Sequence, residues 1–317
     1  MNLGDRPLSA ENTTAILLEH DSEMKIIEPP DHYFFPLVVA LAVGATAAIA
    51  EDRGVSSAPD DPPSVQSEFN NGEDFTRPVR LLQLRERYEN LPNTKGLNPE
   101  KWQTTLRTDV WNGLGEGWKL YGRADAPLVY SNDVTSRFNP EGKAKFGQGD
   151  LLTEAVLIPP PPSPRLGYGV GIRAVWPTAS LDEAGQGKYQ LGPIVGVRFD
   201  LPEITPGSYF LPEVFYLNSV ASRNHNQGRA DINQLNIQPK FNLHLPDRWF
   251  ATAYASEQIQ LNFADDNKLF LPFDLMLGRK LAENFIVSLE YSRVMFHNKG
   301  FEPYQWQLEA RLGFYYY

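Results

Sequence analysis

The chain has 317 residues, no cysteine, a formal net charge of −10 and a mean hydropathy of −0.38. That hydropathy excludes a bundle of membrane helices, which needs repeated apolar runs of about 18 residues or more, and the acid excess argues against a nucleic-acid partner, which favours a basic face. Without cysteine there are no disulfides, no thiolate catalysis and no thiolate metal ligands.

At the N-terminus, Tyr33 to Ala50 (YFFPLVVALAVGATAAIA) is an apolar run that closes on Ala48-Ile49-Ala50. This is the small-x-small pattern of a cleavage site, and Glu51-Asp52 follows at once. Gly44, Thr46, the alanines near its end and the absence of a basic stop-transfer flank favour a cleaved signal over an anchor. Lys25 is the only cation close by, and Met24 offers an alternative start to Met1. Residues 1–50 are read as an N-terminal extension and signal peptide. Residues 51–76 are acidic, rich in Pro, Ser and Asn and aperiodic, so they read as a disordered periplasmic leader. Residues 77–317 form the third unit, expected to be an outer-membrane β-barrel.

The barrel expectation rests on alternation. In Ile232 to Leu245, residues Leu235, Ile237, Pro239, Phe241, Leu243 and Leu245 are apolar, while Gln234, Asn236, Gln238, Lys240, Asn242 and His244 are polar. A period of two separates these sets and a helical period does not. At about 3.3 Å per residue the strand spans roughly 40 Å, longer than soluble sheets use and suited to a tilted crossing of a bilayer. Pro239 removes a ladder donor, so a bulge is expected there.

Twelve candidate strands follow the leader: Val79–Tyr88, Trp102–Trp111, Trp118–Tyr130, Leu151–Ile158, Tyr168–Trp176, Leu191–Phe199, Tyr209–Val220, Ile232–Leu245, Trp249–Ile259, Lys268–Leu277, Phe285–Tyr291 and Gln305–Tyr316. An even count at about 20 residues per strand and connection fits an antiparallel transmembrane barrel of about 12 strands. Odd strands are followed by longer polar links and even strands by mostly shorter ones, as outer loops and periplasmic turns differ. ADDN and LPEITPG depart from that tendency.

A soluble barrel or sandwich would also alternate, with its apolar face inward. Three features favour the membrane. Aromatics sit at strand ends (Trp102, Trp118, Tyr130, Trp176, Trp249, Trp306, Tyr316), where interfacial girdles lie. The polar faces carry many charges. The C-terminal WQLEARLGFYYY holds Trp306, Leu308, Ala310, Leu312, Phe314 and Tyr316 in one register and resembles an outer-membrane insertion signal, although Tyr317 is out of phase.

Trp176-Pro177-Thr178-Ala179-Ser180, followed by Gly185-Gln186-Gly187-Lys188-Tyr189-Gln190-Leu191-Gly192-Pro193, resembles the PTA…GxGK…LGP hairpin of the phenol-degradation meta-pathway family of outer-membrane proteins. Phe146-Gly147-Gln148-Gly149-Asp150 is similar to that family's G-x-GD segment, and Gln238-Pro239 with Leu245-Pro246 to its QP…LP segment. The resemblance spans roughly residues 78–317. It implies a barrel that moves small, often aromatic or hydrophobic, compounds across the outer membrane, and it assigns no catalytic residue.

Physically, Gly185 and Gly187 suit the positive φ of a tight return, and Pro177 and Pro193 punctuate strands. A structural turn at the barrel mouth explains the hairpin as well as a gate does. Gly167, Gly169 and Gly171 share one strand face, which leaves room inside the barrel or lets another segment approach closely.

By register, the lumen-lining candidates are Arg85, Arg107, Asp109, Arg123, Asp125, Arg173, Arg198, Lys240, Asp274, Glu290, Glu309 and Arg311, with Arg87, Asp200 and His244 on the same face. Interleaved charge suits a conduit whose arginines attract anionic or polar solutes. It equally suits a closed lumen packed with ion pairs. The chain is therefore read as a channel or facilitator for small solutes, with a structural or surface-interaction barrel of blocked lumen as the alternative. Its expected partners are outer-membrane lipid, the barrel-insertion machinery and a small solute. No cofactor or metal is expected: the five histidines are scattered, and Asp265-Asp266 reads as a loop tip. An outer-membrane hydrolase is the weaker reading, because Ser222-Arg223-Asn224-His225-Asn226 and His297-Asn298 lie in outer loops without partners at useful spacing.

Overall fold

The computed structural model describes residues 70–93, 96–133, 139, 141–223 and 230–316. The expected signal peptide, the leader up to residue 69 and Tyr317 lie outside these residues. No helix among the described residues is long and apolar enough to cross a membrane.

The strands are β1 (Leu81–Asn90), β2 (Glu100–Gly115), β3 (Trp118–Ser131), β4 (Lys145–Gln148), β5 (Leu151–Ile158), β6 (Leu166–Trp176), β7 (Lys188–Asp200), β8 (Tyr209–Ser222), β9 (Asn233–His244), β10 (Trp249–Ala253), β11 (Ile259–Asn262), β12 (Lys268–Ala282), β13 (Phe285–His297) and β14 (Trp306–Tyr315). All neighbours are antiparallel, and β1 pairs with both β2 and β14, which closes the sheet on itself. Both β4 and β5 pair with β3, and both β10 and β11 lie between β9 and β12, so each pair is one interrupted stave. The result is a closed barrel of twelve staves. Each strand expected from alternation falls on one of them.

Polarity is inverted relative to a soluble barrel. Leu82, Leu84, Val170, Ile172, Leu275 and Leu277 point outward and are exposed, while Gln83, Arg85, Arg107, Arg173 and Asp274 on the alternate positions are buried. Aromatic contacts gather on the outer face near strand ends. Tyr88 packs against Trp102 and Trp306 with ring centroids 4.8 and 5.2 Å apart, and Phe285 against Phe314 at 4.7 Å. At the end where β1 begins, the links are 116–117, 159–165, 201–208, 245–248 and 283–284. Those at the opposite end, such as 91–99 and 132–144, are mostly longer.

Three local expectations are corrected. Pro239 causes no bulge in β9, which keeps its register with β8 through a Pro212–Pro239 pair. The irregularity falls on the next stave, where β9 has no partner between the β10 and β11 pairings, so the missing donor costs no ladder bond there. Pro193 lies inside β7, opposite Ile172 on its β6 side, and the β8 ladder skips Gly192 and Pro193. Gly185 is extended, with φ −156°, and only Gly187 takes a positive φ, +65°. Gly185 is needed for closeness: a Cβ there would collide with Ala179 and the Asp150 carboxylate.

Candidate functional site

The segment ahead of β1 folds into the barrel. Asn70, Asn71, Glu73, Asp74, Phe75 and Thr76 are all buried, so the last residues assigned to the leader, 70–76, are packed inside the wall. Polar side chains make this possible, since each buried donor or acceptor needs a partner. Asn71 Nδ2 donates to Asn242 Oδ1 at 3.1 Å and Thr252 Oγ1 at 3.0 Å; Tyr315 donates its hydroxyl to the Asn70 carbonyl at 2.6 Å. Asp74 accepts from Arg77 Nε at 2.9 Å and faces Arg198 at 3.5 Å.

Phe75 is the apolar anchor of this plug. It clusters with Tyr121, Val156, Ile158, Ile194 and Phe215. Its ring sits over Gly169 and Gly196, which face each other across β6 and β7. A Cβ at Gly169 would lie 2.8 Å from the ring, and one at Gly196 2.6 Å. The glycine-lined face of β6 thus admits another segment.

Glu73 is the plug's charged centre. Its Oε1 meets Arg311 Nη1 at 2.7 Å, Arg85 Nη2 at 3.1 Å and Arg107 Nη1 at 3.5 Å, and Lys240 Nζ lies 4.0 Å from Oε2. Arg107 also donates to the Gly72 carbonyl at 2.6 Å. Glu73 precedes the first strand. Burial opposes its ionisation, but Arg107, Arg311 and Arg85 outweigh that and hold the carboxyl well below the usual carboxylate range.

A second inward element comes from the wall. Between β10 and β11 the chain leaves the sheet, with Tyr254 at φ +54°, and buries Ala255 and Glu257. The Ala255 N–H donates to Asp274 at 2.7 Å, the Ser256 N–H to Glu290 at 3.2 Å, and Glu257 faces Arg87 at 3.3 Å. Tyr304, from the β13–β14 link, donates to Glu257 at 3.0 Å. Arg311 also bonds Ser256 and pairs with Glu290.

Above the plug lies a cavity of about 960 Å³. Its lower wall presents Glu73, Arg85, Arg107, Arg123, Arg173 and Lys240; outer-link residues Asp182, Asp231, Phe301 and Pro303 line it further up. The two motif segments meet at this mouth. Asp150 accepts the Ala179 N–H at 3.0 Å and the Gln186 N–H at 2.5 Å, and Thr178 bonds the Gly149 carbonyl at 3.0 Å and the Leu151 N–H at 2.9 Å. Together they clamp the β6–β7 link across the β4–β5 break.

The structure places all the lumen candidates on the inner face, mostly engaged with one another. Asp109 holds Arg107 at 2.9 Å and Arg123 at 3.2 Å. Arg173 pairs with Glu154 at 2.7 Å, Lys240 with Glu213 at 2.8 Å, and Arg198 with Asp200 at 3.1 Å. Glu309 takes Arg87 and Arg311, each at 2.6 Å, while Asp274 and Glu290 hold the inward turn. Asp125 faces the cavity. Sequence reasoning missed Glu73, Asp74, Phe75, Glu257 and Tyr304. The available signal was the glycine face of β6 together with Phe75, an aromatic side chain in a mostly polar stretch ahead of the first strand.

Residues 224–226 of the first histidine cluster lie outside the described residues. His297 stands 3.7 Å from Glu302 in the β13–β14 link. No group of three or more His, Cys, Asp or Glu that could hold a metal occurs among the described residues.

The fold and interior define a plugged antiparallel β-barrel of inverted polarity. No protein-family model matches the chain, and neither does any curated protein sequence. Among solved structures, an outer-membrane channel from Pseudomonas putida F1 is similar at TM-score 0.55 and 12% identity, with 81% of this chain and 100% of that one covered. The NanC porin overlays at 0.49 and 13% identity, covering 74% and 99%. Outer membrane phospholipase A from Escherichia coli overlays at 0.41 and 15%, covering 79% and 95%. At these identities the likeness is one of fold, and the two looser overlays add nothing to it.

Proposed function

We propose that the protein is an outer-membrane channel for small solutes whose conduction is set by the seating of Asn70–Thr76. The observation that carries this reading is the 960 Å³ cavity, which runs from the outer links down to a floor made by Glu73 of the plug. A wall apolar outside and charged inside supports lipid as its surroundings, and a floor formed by a separate segment can move without breaking the sheet. The hairpin resemblance extends the proposal to aromatic or hydrophobic solutes. Export is proposed to remove residues 1–50, and N-terminal sequencing of the mature protein should then begin at Glu51.

Single-channel conductance of the purified protein in planar bilayers, with insertion confirmed separately, tests the main reading. Rare or brief openings in the wild type and longer ones in Phe75→Ala support a plugged channel. The density of buried ion pairs favours one alternative, a structural barrel with a permanently blocked lumen, and silence of both inserted proteins would select it.

A further inference from the structure

The arrangement of donors around Glu73 bears on what the cavity accepts, and this step rests on the channel reading. Arg107, Arg311, Arg85 and Lys240 each have an acidic partner in the wall: Asp109 for Arg107, Glu309 for Arg85 and Arg311, and Glu213 for Lys240. All three guanidiniums nevertheless turn a second N–H towards the same oxygen, Glu73 Oε1, at 2.7 to 3.5 Å. Planar guanidinium donors are matched to carboxylate geometry and lose little freedom in binding it. The carboxylate they hold belongs to no strand. If the plug withdraws, these donors face the cavity without it.

The rest of the lining selects the body attached to such a carboxylate. Leu152, Phe215 and Leu217 border the same cavity, and the Arg173 guanidinium stacks 3.8 Å from the Phe215 ring centroid. Two acids nearer the mouth are paired locally, Glu183 with Lys145 at 2.7 Å and Asp231 with Lys188 at 2.9 Å, while Asp125, Asp133 and Asp182 also line the cavity. A cationic ligand would instead confront Arg85, Arg87, Arg107, Arg123, Arg173 and Lys240. The volume lies within the range of small-molecule pockets, about 300–1,000 Å³.

We infer that the floor of the cavity is a subsite for small carboxylates with an apolar or aromatic body, and that Glu73 is the intramolecular carboxylate occupying it in the plugged barrel. Solute and plug then compete for one set of donors.

The test is calorimetric titration of the purified full chain in detergent micelles, with benzoate, benzyl alcohol and benzylamine as probes. Glu73→Ala should bind benzoate at least roughly ten-fold more tightly than the wild type, as expected when charge-assisted donors are freed. Benzyl alcohol and benzylamine should show no such gain, and adding Arg311→Gln should reverse it. Equal benzoate affinity in wild type and Glu73→Ala, or an equal gain for benzyl alcohol, would overturn the inference. Should Glu73→Ala fail to fold, Phe75→Ala keeps the carboxylate but loosens its anchor and is held to the same comparison. Binding is read without a bilayer, so a barrel that binds benzoate but never conducts defeats the channel reading alone, while a conducting barrel indifferent to benzoate defeats this inference alone.

Discussion

Arg311 Nη1 donates to Glu73 Oε1 at 2.7 Å across 238 positions of sequence, tying the segment ahead of the first strand to the last strand. Because Glu73 is held ionised below the ordinary carboxylate range, its contribution is full above the unfolded value and is lost progressively as pH falls from there through the lowered folded one. The plug should therefore stay seated through the ordinary Glu titration near about pH 4.3 and release only in stronger acid. Conductance recorded against pH checks this. Openings that rise steeply between pH 6 and roughly 4 would contradict it.

Gly196→Val should unseat Phe75. Overpacking of this kind costs about 1–3 kcal/mol, and rearrangement of the plug, which is outside the sheet, relieves it more readily than distortion of the wall. The native chain has no cysteine, so Thr76→Cys supplies a unique label. Maleimide should react slowly with Thr76→Cys alone and several-fold faster when Gly196→Val is added.

Asp150→Ala removes the acceptor for two backbone N–H groups, those of Ala179 and Gln186. Leaving them unpaired costs about 1–3 kcal/mol locally. Hydrogen exchange should accelerate across residues 177–187, while the melting temperature of the barrel changes little because no wall ladder is touched.

The outward face predicts a depth dependence. Ile172→Arg, at an exposed position in the middle of β6, should lower stability by about 2–4 kcal/mol in a bilayer, whereas Val220→Arg near the end of β8 should cost about 0–1 kcal/mol. Urea unfolding in liposomes measures both. Equal costs would remove the membrane-spanning assignment of these positions.

Much of the wall was legible because alternation is local. Once Leu235 and Ile237 face one way, Asn236 and Gln238 must face the other, and the strand-end aromatics, the many charges on the polar faces and the C-terminal register favoured a polar interior. The same logic put Arg107, Arg173 and Lys240, all three buried, on the polar face. It missed Phe75 and Glu73, which lie in a stretch without period, and Glu257, which falls where the expected strand Trp249–Ile259 leaves the sheet between β10 and β11. It also misjudged Pro239 and Gly185, since the relief for a missing donor and the need for a small residue both lie on neighbouring segments.

Sequence by itself determined the staves and the alternation of apolar and charged faces along them, because both follow from side chains two positions apart on one strand. Tertiary structure alone decided what fills the interior. The Gly169–Gly196 pair makes room, Phe75 enters it, and Arg85, Arg107 and Arg311 converge on Glu73 only after β1, β2 and β14 have been brought side by side by closure. Those contacts join residues far apart in the chain, and no local pattern encodes their meeting.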